Sequence, residues 1–257
     1  MIQRQPPGTF ESPSVQARAT GIPAYEVKYL LEEDAAREVQ AWLGEKALLL
    51  PDPHATMPGA PGSYQTTTLY LDTPEGDVFR RGEGYRTQKF RVRRYGGSSV
   101  LYIERKRKVQ DQVSKRRGSI AETELPLLGS SSTAPEWEGH WFQRMAKTRR
   151  LGPAACMTYV RTALVGVTPE GAVRATFDRE IRGVRADAWA LQPVLDAPEL
   201  FPGRVVVELK FIGAMPGVFK RCVEALRLAP ARVSKYRAWR GVLEGESPGG
   251  EAPCRSS

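Results

Sequence analysis

Basic residues stand at every second position along much of KFRVRRYGGSSVLYIERKRK, residues 89–108. Alternation is the period of a β-strand, so Lys89, Arg91 and Arg93 share one face of a first strand. With Gly96–Ser99 as the loop of a hairpin, Tyr95 falls opposite Val100, Arg93 opposite Tyr102, Arg91 opposite Glu104 and Lys89 opposite Lys106. One face then holds Lys89, Arg91, Arg93, Glu104, Lys106 and Lys108. The other holds Phe90, Val92, Leu101 and Ile103, with Arg94, Arg105 and Arg107 at its edges. Like charges set opposite each other destabilise a strand pair. The face therefore requires an anion among its cations.

The pattern recurs. Glu26 and Lys28 alternate in AYEVKY, Tyr159 and Arg161 in TYVRTAL, Arg174, Thr176 and Asp178 in VRATFD, and Glu208 and Lys210 in VVVELKF. Five stretches carry a cation on one strand face, and four of them add a carboxylate on the same face. A solvated face gives no reason for charged pairs inside such β-branched strands. A closed or nearly closed antiparallel barrel does, with a charged lumen and an apolar exterior under helices. Clustered Arg and Lys suit phosphate oxygens, Arg as a bidentate fork and Lys as a point charge. The carboxylates suit a hard divalent cation, Mg²⁺ or Mn²⁺, bridging protein and phosphate. The ligand expected is a run of several phosphates.

The elements that must position these residues follow from periodicity. AYEVKYLL runs straight into a helix, EEDAAREVQAWLGEK, with Ala35, Val39 and Trp42/Leu43 on one face. Residues 51–63 read as a Pro/Gly loop, and TTTLYLDT (66–73) as a strand closed by Pro74. WEGHWFQRMAKTRR (137–150) reads as a helix whose stripe of Trp137, Trp141 and Met145 packs into the core. CMTYVRTALVGV, TPEG and AVRATFDREI form a second hairpin, followed by the strand RVVVELKF. Pro216 suits the first position of the helix PGVFKRCVEALRL, and Ser234 suits the cap of KYRAWRGVL. The fold class is α+β, with one domain over residues 22–243 between disordered tails at 1–21 and 244–257.

Composition narrows the classes. The 257 residues carry a net charge of +9, which favours anionic partners. Three widely spaced cysteines show no metal-ligand spacing and point to a reducing, cytoplasmic setting. The two histidines, His54 and His140, supply neither a zinc site nor a catalytic triad, and His54 sits in the Pro-rich loop. No apolar run reaches the ~18–20 residues of a membrane span. The usual devices of a nucleic-acid binder, a basic helix or stacking aromatics on an open sheet, are not evident.

In order, YEVKY, TLYLDT, KFRVRRY, YIERKRK, SKRR, YVRTAL, VRATFD, VVELKF and SKYRAW resemble the VTC domain. This is the catalytic domain of vacuolar transporter chaperone polyphosphate polymerases, within the triphosphate tunnel (CYTH-like) superfamily. The resemblance spans residues 24–243. It implies a tunnel-shaped antiparallel barrel that transfers a nucleotide γ-phosphate, as from ATP, onto polyphosphate with Mn²⁺ or Mg²⁺. Carried over by motif, Arg91, Arg93, Lys106, Arg161 and Arg174 are the catalytic phosphate clamps. Lys28, Lys115, Lys210 and Lys235 bind substrate phosphates. Glu208 is the metal ligand, with Glu26 and Glu104 as secondary candidates. Lys115 lies in SKRRGS, read as a loop in which Arg116 is the alternative.

One departure matters. The hydrolytic branch opens with ExExK, and this chain has Ala24 at the first carboxylate. That favours polymerase over triphosphatase. A non-catalytic module for polyphosphate or nucleotides remains the alternative from another class. The eukaryotic relatives sit beside membrane helices, so a separate membrane-protein partner is compatible with their absence here.

Overall fold

The computed structural model describes residues 13, 22–46, 49–53, 56–109, 112–132 and 134–245. His54 and most of the expected tails lie outside the described residues. The chain divides into two compact units, each discontinuous in sequence. Among the described residues the first runs to Tyr64 and adds Val160–Glu180 and everything from Leu200 onward. The second comprises Gln65–Tyr159 and Ile181–Glu199.

The strands are β1 (Ala24–Glu32), β2 (Leu50–Pro51), β3 (Thr56–Met57), β4 (Ala60–Pro61), β5 (Ser63–Asp72), β6 (Gln88–Tyr95), β7 (Val100–Val109), β8 (Gln112–Ala121), β9 (Gly152–Thr168), β10 (Gly171–Arg185) and β11 (Arg204–Ile212). The helices are α1 (Glu33–Glu45), α2 (Asp77–Arg80), α3 (His140–Thr148), α4 (Gly217–Ala225) and α5 (Lys235–Leu243), with a 3₁₀ helix at Glu122–Gly129. Antiparallel sheet with helices against it is the expected α+β class. The order of the main sheet is β1-β11-β10-β9-β5-β6-β7-β8, with β2 added to β9.

The barrel was expected as closed or nearly closed; among the described residues strand pairing does not close this ladder, whose edges are β1 and β8. At β1 the reason is local. The Ala231 N–H donates to the Lys28 carbonyl at 2.7 Å, so a non-strand segment covers that edge. Pro230 stands next to it and has no N–H with which to extend a ladder.

In the first unit, β1 pairs with β11 from Ala24↔Ile212 to Glu32↔Arg204, and β11 pairs with β10. Odd-numbered residues of β1 face the core. Tyr29, Val205, Val207, Leu209, Ala175 and Phe177 are buried together with Ala36, Val39 and Leu43 of α1 and Val218, Phe219 and Cys222 of α4. On α1 the buried small residue is Ala36, not Ala35, because the face that meets β1 and β11 is centred on Val39. Pro216 stands at the N-cap of α4, one residue before the expected place. Ser234 does occupy the N-cap of α5, but its side chain makes no capping hydrogen bond.

The hairpin register in the second unit is the expected one: Arg93↔Tyr102, Arg91↔Glu104 and Lys89↔Lys106. Phe90, Val92, Leu101 and Ile103 are buried on the opposite face. SKRRGS is no loop. It lies within β8, where Lys106 meets Lys115 and Glu104 meets Arg117. Alternation ran through it, but its charge density masked the strand. Helix α3 begins at His140 and buries Phe142, Gln143 and Ala146 rather than the tryptophan stripe. Trp137 instead donates its indole N–H to Glu124 at 2.9 Å, and Trp141 lies under Arg116. Residues 51–63 contain the two-residue strands β3 and β4. Among the described residues no helix is long and apolar enough to cross a membrane, which leaves strands unaddressed.

Candidate phosphate-binding faces and the family

Each unit gathers its charged residues on one strand face, because the alternation that buries the apolar set lifts the charged set to the other side. In the second unit three rows cross β6, β7 and β8. They read Lys89–Lys106–Lys115, Arg91–Glu104–Arg117 and Arg93–Tyr102–Ser119. Glu104 is completely buried at the centre. Its Oε2 accepts from Arg91 Nε at 2.6 Å. Its Oε1 accepts from Arg117 Nε at 2.7 Å and stands 2.5 Å from Lys115 Nζ. Burial would raise this carboxyl, but Arg91, Arg93, Lys115 and Arg117 overcome it and hold Glu104 far below the carboxylate range. Both oxygens of Glu104 are thus engaged by cations.

Arg93 is buried, donates to Thr68 Oγ1 at 3.1 Å and lies about 6 Å from the rings of Tyr95 and Tyr159. Two titratable groups on this face are shifted. Burial raises the Tyr95 phenol, yet Arg93 dominates and brings it down to about 7. Burial lowers the Lys115 ammonium to about 7, against the pull of Glu104. The Tyr95 shift registers the cations around it, whereas the Lys115 shift registers burial.

In the first unit the charges are paired. Lys28 Nζ is 3.4 Å from Glu208 Oε2, and Lys210 Nζ is 3.2 Å from Glu26 Oε1, each pair directly opposite in register. Asp178, buried, accepts from Arg161 Nε at 2.6 Å and Nη2 at 2.8 Å, and from Lys235 Nζ at 2.5 Å. Burial opposes ionisation of Asp178, but Arg161 and Lys235 prevail and hold it well below the carboxylate range. Arg174 Nη2 stands 2.7 Å from Asp52 Oδ2 and donates to the Tyr64 hydroxyl at 3.1 Å. Its Nε and the hydroxyl of Thr176 are buried without a hydrogen-bond partner.

The expected site residues therefore fall into two groups. Arg91, Arg93, Glu104, Lys106 and Lys115 belong to the second unit. Glu26, Lys28, Arg161, Arg174, Glu208, Lys210 and Lys235 belong to the first. Arg116, the alternative to Lys115, is on the other face of β8 with its guanidinium 4.1 Å from the Trp141 ring.

The comparisons bear on these faces. The VTC domain model matches residues 23–243. The chain belongs to the VTC domain family. No match was found among curated proteins. Three solved structures illustrate the similar folds. One, from Bacillus halodurans with a provisional adenylate cyclase assignment, has 12% identity over 83% of this chain and 94% of that one, with a TM-score of 0.48. Hippeastrum HpAC1, provisionally an adenylyl cyclase and described as having a dominant triphosphatase activity, has 11% identity over 87% and 96%, TM-score 0.46. PH1819 of Pyrococcus horikoshii has 12% identity over 91% and 94%, TM-score 0.39.

Membership of the VTC family raises the question of a divalent metal. Among the described residues no three His, Cys, Asp or Glu side chains gather as a metal cage. Glu26 and Glu208 are diagonal neighbours across the β1–β11 ladder, a relation of ~7–8 Å. Beside Glu208 in register stands Thr176, with its unpartnered buried hydroxyl. This set fits Mg²⁺ or Mn²⁺ taken with its substrate, since such ions use one or two carboxylates and complete their shell with phosphate oxygens and water. Glu104 does not fit, because cations occupy both of its oxygens.

Sequence reasoning missed Asp52, Tyr64, Tyr95 and Arg117. Arg117 was legible, two residues from Lys115 on the same face. Asp52 was not, since nothing in a Pro-rich loop marks that its one acid folds back onto Arg174.

Proposed function

We propose that this VTC-family chain transfers the γ-phosphate of a nucleoside triphosphate such as ATP onto a polyphosphate chain. The observation that carries this reading is the second-unit face. Four cations there, Arg91, Arg93, Lys115 and Arg117, act on one buried carboxylate, Glu104, and Lys89 and Lys106 stand in the adjoining row with Lys115. Such an excess of charge matches a ligand with many phosphate oxygens in a row. Phosphoryl transfer asks the protein mainly for positioning and charge stabilisation.

Arg91, Arg93, Arg161 and Arg174 would clamp non-bridging oxygens, and Lys28, Lys106, Lys115, Lys210 and Lys235 would bind phosphates as point charges. A bound divalent cation would offset the charge developing on the transferred group, held by Glu208 with Glu26 beside it. A phosphate acceptor already carries an anionic oxygen, so no general base is needed. Ala24, buried at the start of β1, leaves that strand without a further carboxylate to position water, which favours phosphate over water as acceptor. A cytoplasmic location, with a membrane reached only through a partner, belongs to the same proposal.

The deciding experiment incubates purified protein with ATP and Mn²⁺ and sizes the product by gel electrophoresis. Long-chain polyphosphate is expected. Free phosphate alone would make the protein a triphosphatase, and tight binding without turnover would make it a binding module. Glu208→Gln is expected to cut metal-dependent turnover about 100-fold; unaltered turnover would sink the role of Glu208.

A further inference from the structure

Arg117 is the one guanidinium on the second-unit face that none of the expected roles covers. It lies directly opposite Glu104 in the β7–β8 ladder, as Arg91 does in the β6–β7 ladder. The buried carboxylate is thus flanked by two arginines related almost as mirror images. Arg117 Nε donates to Glu104 Oε1 at 2.7 Å, and Nη2 donates to the Tyr95 hydroxyl at 3.0 Å. The guanidinium carbon sits 4.5 Å from the Tyr102 ring centroid and 5.8 Å from that of Tyr95. Four constraints therefore fix the plane of the group. Its side chain is still 35% exposed, against 17% for Arg91. The hydrogen bonds described use Nε and Nη2. A guanidinium has five N–H donors, so the Nη1 end remains to meet a ligand.

We infer that Arg117 is a further phosphate-contacting residue of this face, held ready by Glu104, Tyr95 and Tyr102. The inference rests on reading the face as a phosphate site. A guanidinium fixed in a single plane loses little entropy on binding and presents a planar fork to phosphate oxygens. Its neighbour in sequence, Arg116, is spent on Trp141 and faces the other way. The same two letters in SKRRGS thus have opposite fates. The carboxylate and phenol beside Arg117 keep its charge firmly in place, although burial alone would oppose it. Lys115, in the adjacent row, is the cation that burial weakens. Arg117 therefore supplies the durable charge on β8.

The test measures binding of inorganic tripolyphosphate to the full chain by calorimetry without added metal. Arg117→Gln is expected to weaken binding about tenfold, Arg117→Lys severalfold, and Tyr95→Phe two- to threefold. Arg116→Gln is expected to bind within twofold of the parent. A second measurement needs no substitution: modification of arginines by phenylglyoxal, read by mass spectrometry. Tripolyphosphate should shield Arg117 and leave Arg116 reactive. If Arg117→Gln binds like the parent while Arg91→Gln is weakened, or if Arg117 is not shielded, the inference fails alone. If the parent protein does not bind tripolyphosphate, the functional reading fails and the inference with it.

Discussion

The two units build their charged faces from the same material and reach opposite electrostatic states. Among the described residues, the first-unit face sets five cations, Lys28, Arg161, Arg174, Lys210 and Lys235, against four carboxylates, Glu26, Asp52, Asp178 and Glu208. On the second-unit face four cations, Arg91, Arg93, Lys115 and Arg117, bear on one buried carboxylate, Glu104. In the first unit each cation has an acid within 3.4 Å. In the second, one buried acid serves three cations at once. A balanced face is stable without a ligand and can part with a carboxylate to a metal. An unbalanced face stores repulsion that a polyanion relieves. On the proposed reading the first unit would hold the metal and share in phosphate contacts, and the second would supply the less compensated part of the phosphate grip.

The largest effect is expected where the first unit's balance is broken. Asp178→Asn removes the buried anion that Arg161 and Lys235 share. It should lower unfolding free energy by about 3 kcal/mol, seen in urea denaturation. A loss below about 1 kcal/mol would mean that this face is less tightly balanced than the geometry indicates.

Next comes the division of labour. Arg91→Gln should weaken metal-free tripolyphosphate binding by about 100-fold, while Glu208→Gln should leave that binding within about threefold and strike turnover instead. Equal effects of both variants on binding would dissolve the distinction between the units.

The second-unit face also has a pH signature. Lys115 and Tyr95 have folded pKa values of about 7, below their ordinary 10.5 and 10.0. Between these limits the unfolded chain binds more protons than the folded one. Stability of the ligand-free protein should therefore rise with pH from about 7 toward 10, by at most ~1.4 kcal/mol per pH unit for each group. The opposite sign governs Glu104 and Asp178. Their contribution is complete above the ordinary carboxylate range and is lost progressively as pH falls below it. Binding of tripolyphosphate should weaken over the same rise from pH 7, since Lys115 loses its positive charge and Tyr95 becomes a phenolate. Denaturant midpoints across pH 6–10 check the first statement; Tyr95→Phe and Lys115→Met should each flatten the slope.

The smallest effect is the control. Arg150 pairs with Glu75 on the surface, well exposed. Arg150→Ala should change stability by no more than about 0.5 kcal/mol. A larger loss would show that pairing at the surface matters as much as pairing on the two faces.

What the sequence determined by itself was whatever depends on period. A strand places every second residue on one side, so the register Arg91↔Glu104 and the split between Arg93 and Arg94 were legible from the hairpin alone. Arg93 indeed lies on the charged face, and Arg94 pairs on the other side with Glu122 at 2.6 Å. The apolar companions of α4 and the cap position of Ser234 were legible for the same local reason. The sequence pattern also carried the VTC family, through motifs in fixed order. Tertiary structure alone decided which acid meets which base. Glu104 could have served a metal by residue type, but β8 brings Lys115 and Arg117 against it. Asp52 is the lone acid of a Pro-rich loop, with nothing to mark its partner until the chain folds it against Arg174, 122 residues later. Ionic partners depend on distances of a few ångströms between segments remote in sequence. No local period encodes that, so it was settled only when the strands were laid side by side.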